Sequence, residues 1–420
     1  MPLEFSSEPK RIILLMRNST YRGQAFYEAA KKLDIEVVTG LDIHPDLADY
    51  WKVPLALQFD QLDESVRKVI DFTRQKPVQA VLSVDDSASL VAAKASEALG
   101  LIHNSSESAL AARNKYDMRR MFAAGGVASP QFRLFDMTDD PHQIAAEVSF
   151  PCVVKPLLLS GSRGVMRANT PAELVDAFRR LGRMLAGLNR APGSTQILVE
   201  DYIPGVEVAL EGVIDGDGLK VLALFDKPDP LVGPFFEETI YVTPSRLPDE
   251  IQTAIATCAD RAAQALGLRF GPVHAELRVN DAGPWLVEMA GRSIGGLCSR
   301  TLRFGLNNMA LEELILRQAV GLEIDSFSRA TEASGVMMIP IPMAGILKAV
   351  AGVEAAEQVP GIESVEITAK LNQPLTPLPE GDSYLGFIFA RGETPDGVET
   401  ALRQAHRQLD FTIQEMLPVI

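Results

Sequence analysis

VHAELRVNDAGPWLVEMAGRSIGG, residues 273–296, reads as two β-strands joined by a tight turn. A three-residue turn over 281–283 puts Gly283 at the left-handed position that such loops favour. It also separates an apolar face, which includes Val287, from a polar face, on which Leu286 falls. A slip of one residue would mix the two faces, so burial selects this register.

In this register Glu276 lies directly opposite Glu288, with Cβ atoms about 5 Å apart. At an effective dielectric constant of about 20, two such charges repel by roughly 3 kcal/mol. A shared proton, Arg278 or Arg292, or a divalent cation would offset this repulsion. A magnesium ion suits two carboxylates best when substrate phosphates complete its ligands. Taken alone, the pair is better explained as a solvated polar sheet face without a site.

The composition indicates a folded, acidic protein of several domains. The chain has 420 residues, which suggests two to three domains, and 47% of them are hydrophobic. The net charge of −15 argues against nucleic acid as the main partner. The three cysteines and five histidines are scattered, which predicts neither a zinc site nor a disulfide framework. We expect no membrane span or signal peptide, and a cytoplasmic location.

Alternating strand and helix patterns predict a parallel α/β fold at the N-terminus and α+β parts after it. Strands are expected over 11–17, 35–40 and 80–86, and helices over 22–34, 64–76 and 87–100. Further helices are expected over 105–126 and 302–321, and a strand, turn and helix over 335–352. No GxGxxG follows the first strand, so the dinucleotide fingerprint is absent. We divide the chain into parts spanning 1–112, 113–200, 201–330 and 331–420.

Two further segments have features of a nucleotide site. In FPCVVKPLLLSGSRGV (150–165), Lys155 ends an apolar strand and a glycine–serine loop follows, whose N–H groups can approach an anion. In VEDYIPGVEV (199–208), an exposed backbone edge near Glu200–Ile203 would read adenine, and Glu207 would accept from ribose hydroxyls. Each segment alone is also explained by an ordinary turn or a surface acid.

Taken in order, these segments resemble the ATP-grasp superfamily over about 80–320. The motifs are RNKYDMR, FPCVVKP, SGSRGV, VEDYIPGVEV, HAEL and LVEMAGRSIGG. The resemblance implies a Rossmann-like N-terminal domain, a central lobe with a lid, and a C-terminal lobe built on an antiparallel sheet. It also assigns residues to ATP and to the metal. The ATP-binding residues would be Lys115, Lys155, Ser162, Gly164, Glu200, Ile203, Glu207 and Lys227, and the metal ligands Glu276 and Glu288.

Many ATP-grasp proteins have Glu-x-Asn at the second metal position, whereas this chain has Glu288-Met289-Ala290. This departure leaves a second metal ion in doubt. The sequence EMAGRSIGG instead resembles the L-amino acid ligase group of ATP-dependent carboxylate–amine ligases. That resemblance gives Arg292 and His274 catalytic roles close to the substrate.

The resemblance implies an enzyme that activates the carboxylate of an amino acid as an acyl-phosphate and joins it to an amine. ATP would be a substrate, with Mg²⁺ or Mn²⁺ as the cofactor. The partners would be small molecules, with neither nucleic acid nor membrane involved, and a homodimer is compatible with the sequence. The alternatives are a carboxylase-type or purine-pathway ligase that uses carboxyphosphate, and a nucleotide-binding regulator without turnover.

Overall fold

A four-stranded parallel sheet forms the N-terminal part of the protein. The computed structural model describes residues 9–188 and 193–415. The strand order is β3-β2-β1-β4. Ile12–Leu15 in the first strand are fully buried, as expected for a parallel strand covered on both faces. The strands are β1 (Lys10–Arg17), β2 (Ile35–Asp42), β3 (Leu55–Leu57) and β4 (Ala80–Ser83).

Helices cover this sheet and lead into the next part of the chain. The 3₁₀ turns Pro45–Leu47 and Asp86–Ala88 also belong to this part. The helices are α1 (Gly23–Lys32), α2 (Ala48–Trp51), α3 (Leu62–Gln75), α4 (Ser89–Leu99), α5 (Ser106–Arg113) and α6 (Lys115–Ala124).

The helix predicted over 105–126 is two helices because Asn114 interrupts it. Asn114 has extended backbone angles, and its side-chain oxygen accepts from the Tyr116 N–H at 3.0 Å, so it caps the second helix. This interruption sets Lys115 at the first position of α6.

A second, smaller sheet has the order β5-β8-β6-β7. Its pairs are antiparallel, and two helices accompany it. The elements are β5 (Phe132–Asp136), α7 (Pro141–Glu147), β6 (Cys152–Pro156), β7 (Met166–Ala168), α8 (Pro171–Ala186) and β8 (Gln196–Asp201).

An eight-stranded sheet dominates the rest of the chain, with the order β13-β12-β9-β10-β11-β14-β18-β16. A three-stranded sheet, β17-β15-β19, lies near the C-terminus, and a 3₁₀ turn spans Cys298–Thr301. The strands are β9 (Val206–Asp215), β10 (Gly218–Asp226), β11 (Ile240–Thr243), β12 (Gly271–Asn280), β13 (Gly283–Ala290), β14 (Ala333–Ile339), β15 (Gly345–Ala351), β16 (Ile362–Ile367), β17 (Pro374–Leu375), β18 (Gly386–Gly392) and β19 (Asp410–Gln414). The helices are α9 (Asp249–Leu266), α10 (Leu311–Ala319), α11 (Val353–Glu357) and α12 (Pro395–His406).

The mixed α/β and α+β fold is therefore confirmed, but two predicted helices are wrong in part. The helix expected from residue 302 begins only at Leu311, because Gly305 and Asn308 have left-handed backbone angles that end any helix. The helix expected near the end of 335–352 is strand β15, whose backbone pairs with β17 and β19. None of the described helices is long and apolar enough to span a bilayer.

The hairpin of β12 and β13 confirms the predicted glutamate pair but not the predicted turn. Glu276 pairs with Glu288, and beyond them the register shifts by one residue, so that Leu277 pairs with Leu286. The shift is a β-bulge, and the turn between Asn280 and Gly283 therefore holds two residues rather than three. Leu286 is fully buried and belongs to the core, contrary to the prediction. The bulge turns Val287 toward the cavity described below.

Candidate active site

A cavity of about 520 Å³ lies where the three larger sheets meet. Its wall includes the segment after β1, the residues after β4, the end of β6, the facing sides of β12 and β13, and residues 382–384. The sequence assigned twelve residues to the site, and ten of them line this cavity. The exceptions are Gly164 and Lys227. Gly164 lies in the loop beside it, and Lys227 contacts two of its lining glutamates.

Lys155 lies in a buried cluster with one carboxylate and one arginine. Its ammonium group pairs with Glu200, and the Arg119 guanidinium donates to the same carboxylate at 2.9 and 3.2 Å. Burial lowers the pKa of Lys155 to about 8, and the nearby Arg119 charge adds to this effect while Glu200 opposes it. Burial alone would raise the pKa of Glu200, but the two cations hold it below its ordinary value.

Lys115 contacts one member of the glutamate pair, Glu288. Its Nζ lies 3.0 Å from a Glu288 carboxylate oxygen and donates to the Leu159 carbonyl at 2.8 Å. Burial alone would raise the pKa of Glu288, yet Lys115 and Lys155 lower it. Glu288 is therefore ionised at neutral pH, which rules out a shared proton raising its pKa.

Glu276 lies at the edge of a cluster of carboxylates around Lys227. The Lys227 Nζ lies 2.8 Å from Glu207 and 3.5 Å from Glu276, and it also bonds to Glu238. Burial alone would lower the pKa of Lys227, but the surrounding carboxylates raise it well above its ordinary value. One oxygen from each of the three glutamates lies within 4.8 Å of the others, and the lysine supplies the positive charge that this cluster needs.

The cations that offset the glutamate repulsion are thus lysines, not the two arginines that the sequence suggested. Arg278 donates to Glu207 at 2.9 Å, and Arg292 donates to Asp86 at 2.7 Å. The carboxylates of Glu276 and Glu288 still fit a divalent cation. They are paired across the hairpin, line one cavity, and keep 22% and 30% of their side-chain surface exposed. Oxygen ligands of this kind suit Mg²⁺ or Mn²⁺.

His274 is held between two carboxylates on the cavity side of the sheet. Its Nδ1 lies 3.2 Å from Glu211, and its Nε2 lies 3.6 Å from Glu276. Glu211 is fully buried and also accepts from the Ile294 N–H at 3.0 Å. Burial raises the pKa of Glu211. The same carboxylate therefore fixes the imidazole ring and the loop that follows Arg292.

Arg292 connects the large sheet to the N-terminal domain. Its guanidinium donates to the Asp86 carboxylate at 2.7 Å and to the Ser293 carbonyl at 2.9 Å. Arg22, from the segment after β1, donates to the Ser293 hydroxyl at 2.8 Å. Burial alone would lower the pKa of Arg292, but Asp86 raises it. A second domain is thus needed to set the position of this arginine.

The glycine–serine loop lies over one side of the cavity and contacts the C-terminal part of the chain. Gly161, Ser162 and Gly164 have positive φ angles of 65°, 55° and 74°. The Gly164 N–H donates to the Pro379 carbonyl at 2.8 Å, so this N–H is not directed at the cavity. Arg163 donates to the Glu380 carbonyl at 2.8 Å.

The backbone near Glu200–Ile203, which was predicted to be exposed and to contact adenine, is exposed only in part. Glu200 lies on a central strand, with Phe132 on one side and Val153 on the other, so its backbone is not exposed at the margin of a sheet. Ile203 follows that strand, and its N–H has no acceptor among the residues the structure describes. The roles of Glu200 and Ile203 toward adenine stay predictions.

The structure brings four further charged residues to the site that the sequence analysis did not single out. They are Asp86, Arg119, Glu211 and Glu238. The place of Asp86 at the site could have been predicted from the sequence, because acids directly after a parallel strand lie at the edge of the sheet where ligands bind. Glu211 could also have been recognised, since it interrupts the apolar run over 208–214.

Comparisons with known proteins identify two domains in the chain and the fold of the whole. Residues 148–301 match the model of the ATP-grasp domain, and residues 337–414 match L-amino acid ligase C-terminal domain 2. The crystal structure of L-amino acid ligase from Bacillus licheniformis is similar to this protein, with a TM-score of 0.82 and 25% identity. That similarity covers 97% of this chain and 99% of the other.

Two curated ligases match this chain over part of their length. Alanine–anticapsin ligase from Bacillus subtilis (strain 168) is 26% identical over 287 residues, which is 63% of this chain and 60% of that protein. D-alanine–D-alanine ligase from Aromatoleum aromaticum is 28% identical over 217 residues, or 50% of this chain and 66% of that protein. The matches thus span less than two thirds of either relative. Residues 148–301 therefore carry an ATP-grasp domain and residues 337–414 carry the C-terminal domain 2 of L-amino acid ligases, and the chain as a whole has the fold of an L-amino acid ligase.

Proposed function

We propose that this protein activates the carboxylate of an amino acid as an acyl-phosphate and joins it to the amine of a second amino acid. The arrangement of charges in the cavity carries the proposal. Lys115 pairs with Glu288 and Lys155 with Glu200, and both lysines line one cavity with the glutamate pair and Arg292. Cations that can contact phosphate, ligands for a metal and an arginine for a carboxylate are the parts this reaction needs.

The chemistry proceeds in two steps. In the first, a carboxylate oxygen attacks the γ-phosphorus of ATP and ADP leaves. In the second, the amine attacks the acyl carbon, phosphate leaves and the amine gives up a proton. Lys155 and Lys115 would stabilise the charge that develops on the transferred phosphoryl group. A divalent cation held by Glu276 and Glu288 would supply further charge neutralisation between the phosphates.

The remaining residues would position the substrates. Arg292 presents a planar guanidinium, which suits carboxylate or phosphate oxygens. His274 faces the cavity and would orient the amine, with Glu211 holding the ring. The loop at Ser162 and Gly164 would cover the phosphates and keep water from the acyl-phosphate. Lys227 and Glu207 would lie toward the ribose.

Phosphate release measured over a matrix of amino acid pairs, with mass spectrometry of the products, tests the proposal. We expect ATP- and Mg²⁺-dependent phosphate release that rises with particular pairs, together with a product of the mass of a dipeptide. Phosphate release that needs bicarbonate and yields no dipeptide would favour a carboxyphosphate-forming ligase instead. Light scattering of the same preparation would test the expected homodimer.

A further inference from the structure

Arg113 lies at the wall between two cavities and has no ionic partner. It is the last residue of α5, directly before the capping Asn114. It lines both the main cavity and a smaller one of about 110 Å³, whose wall is largely apolar. Its Nε is buried without a hydrogen-bond partner, and no carboxylate within the described ranges lies at ion-pair distance from it. An arginine left in this state is poorly explained by folding alone.

The other buried cations of the main cavity are all paired. Lys115 pairs with Glu288, Lys155 with Glu200, Arg278 with Glu207 and Arg292 with Asp86. Arg17 also lines the cavity without an ion pair in the described part of the chain, but it is exposed to solvent. Arg113 is therefore the partly buried cavity arginine whose charge is available to a ligand.

The surroundings of Arg113 have an excess of positive charge. Asp86 is the nearest acid that acts on it, and this carboxylate is already bound by Arg292 at 2.7 Å. The charges of Lys115 and Arg22 also act on Asp86, so this carboxylate is shared among several cations. The hydroxyl of Ser87, which also lines the main cavity, is buried without a partner. A small anion in the main cavity would supply the partner that the Arg113 guanidinium lacks.

We propose that Arg113 binds the carboxylate of the amine-donating amino acid, the carboxylate that stays free in the product. This inference rests on the proposed function. The carboxylate to be activated must lie beside Glu288, Lys115 and Lys155. Arg113 also lines the smaller cavity, whose wall includes none of these three residues, so the anion at Arg113 is the one that does not react.

The test compares amine donors with a free carboxylate and with a carboxamide, on wild type and on Arg113→Met. The donor is the one that gives most product in the pair matrix. A charge-assisted hydrogen bond contributes about 1.5–3 kcal/mol, which corresponds to about 10- to 100-fold. We expect the wild type to prefer the free carboxylate by about that factor in kcat/KM. In Arg113→Met this preference disappears through a higher KM for the donor, while the KM for ATP is unchanged.

Two more variants complete the kinetic test. Arg113→Lys keeps the charge without the planar geometry and should retain part of the preference. Arg120→Met, on the outer side of α6 and paired with Asp117, should behave as the wild type. An undiminished preference in Arg113→Met would overturn the proposal, as would a rise in the KM of the activated acid instead of the donor.

A binding measurement separates this inference from the proposed function. Calorimetry with L-leucine and L-leucinamide, in the presence of Mg·ADP, should show binding of L-leucine that Arg113→Met loses. If no amino acid pair gives an amide but this difference is found, the carboxylate site stands and the proposed reaction fails. If amides form but the difference is absent from both binding and kinetics, the reaction stands and the role of Arg113 is refuted.

Discussion

At the scale of single residues, the site is organised by charges that share partners. Glu200 pairs with both Lys155 and Arg119, so its negative charge keeps a partner if either of the two is substituted. Glu211 similarly holds His274 and the backbone of Ile294. Because each carboxylate has two partners, the positions of the reactive groups are determined before a substrate arrives.

The depressed pKa of Lys155 predicts a pH limit for ATP use. Burial lowers this pKa to about 8, so the ammonium is present below pH 8 and is lost as the pH rises through that value. We expect kcat/KM for ATP, which reports the free enzyme, to fall above about pH 8. In Lys155→Arg the fall should vanish, because arginine stays protonated. A wild-type profile that is flat to pH 9.5 would contradict the assignment of Lys155 to phosphate.

Arg292→Ala should impair ligation far more than it impairs nucleotide binding. The guanidinium is expected to contact substrate or acyl-phosphate oxygens, and one charge-assisted contact is equivalent to about 10- to 100-fold in rate. We therefore expect amide formation to fall by at least that factor while the Kd for Mg·ADP changes less than about threefold. Arg120→Ala serves as the control. Equal losses in both measurements would show that Arg292 belongs to the nucleotide site.

At the scale of elements, the hairpin shows what a sequence pattern can and cannot predict. Alternation of apolar residues placed Glu276 opposite Glu288 correctly, since both lie before the point where the register shifts. The pattern did not reveal the bulge, because Leu286 and Val287 are both apolar and either fits a buried position. The choice depends on packing against α9 and neighbouring strands, which is a tertiary effect.

The bulge makes a prediction about stability. Leu286 is fully buried opposite Leu277, whereas Val287 is only partly buried at the cavity wall. Leu286→Ala should lower the free energy of unfolding by about 2–5 kcal/mol. Val287→Ala should lower it by about 1 kcal/mol or less, because it removes less buried surface. Urea unfolding of both variants decides between the bulged register and a regular one, which would reverse the order.

The other secondary-structure elements and site residues differ in how well the sequence predicts them. The N-terminal strands and helices that were predicted follow clear periodic patterns, and the structure confirms them. The sequence analysis did not identify the short strand β3 and the short helix α2. The site residues on strands, such as Lys155 and Glu288, were found through motifs. Asp86 and Arg113 were not assigned a role, because their positions at the cavity depend on how distant parts of the chain pack together.

At the scale of the whole molecule, the cavity is closed by segments far apart in sequence. Arg180 of α8 makes a bidentate pair with Glu380 at 2.6 and 2.8 Å, and Arg163 lies 3.5 Å from Asp382. Asp382 and the two residues after it line the cavity. The lobe that contains the glycine–serine loop is therefore fastened to the C-terminal domain across the mouth of the site.

Loosening this connection should let water reach the intermediate. Glu380→Gln removes the charge that binds Arg180, so the lobe should close less completely. We expect the ratio of phosphate released to amide formed to rise above that of the wild type, because acyl-phosphate is hydrolysed. Glu393→Gln, at an exposed glutamate on the surface, is the matched control. An unchanged ratio would show that the Arg180–Glu380 pair does not govern closure.

The central claim is that Glu276 and Glu288 lie together because a metal-bound nucleotide occupies the space beside them. A crystal structure with Mg²⁺ and ADP tests this most directly. The account predicts a metal ion bound by both carboxylates and a diphosphate in contact with Lys115 and Lys155. A nucleotide bound elsewhere, or a metal ion that neither glutamate contacts, would contradict it.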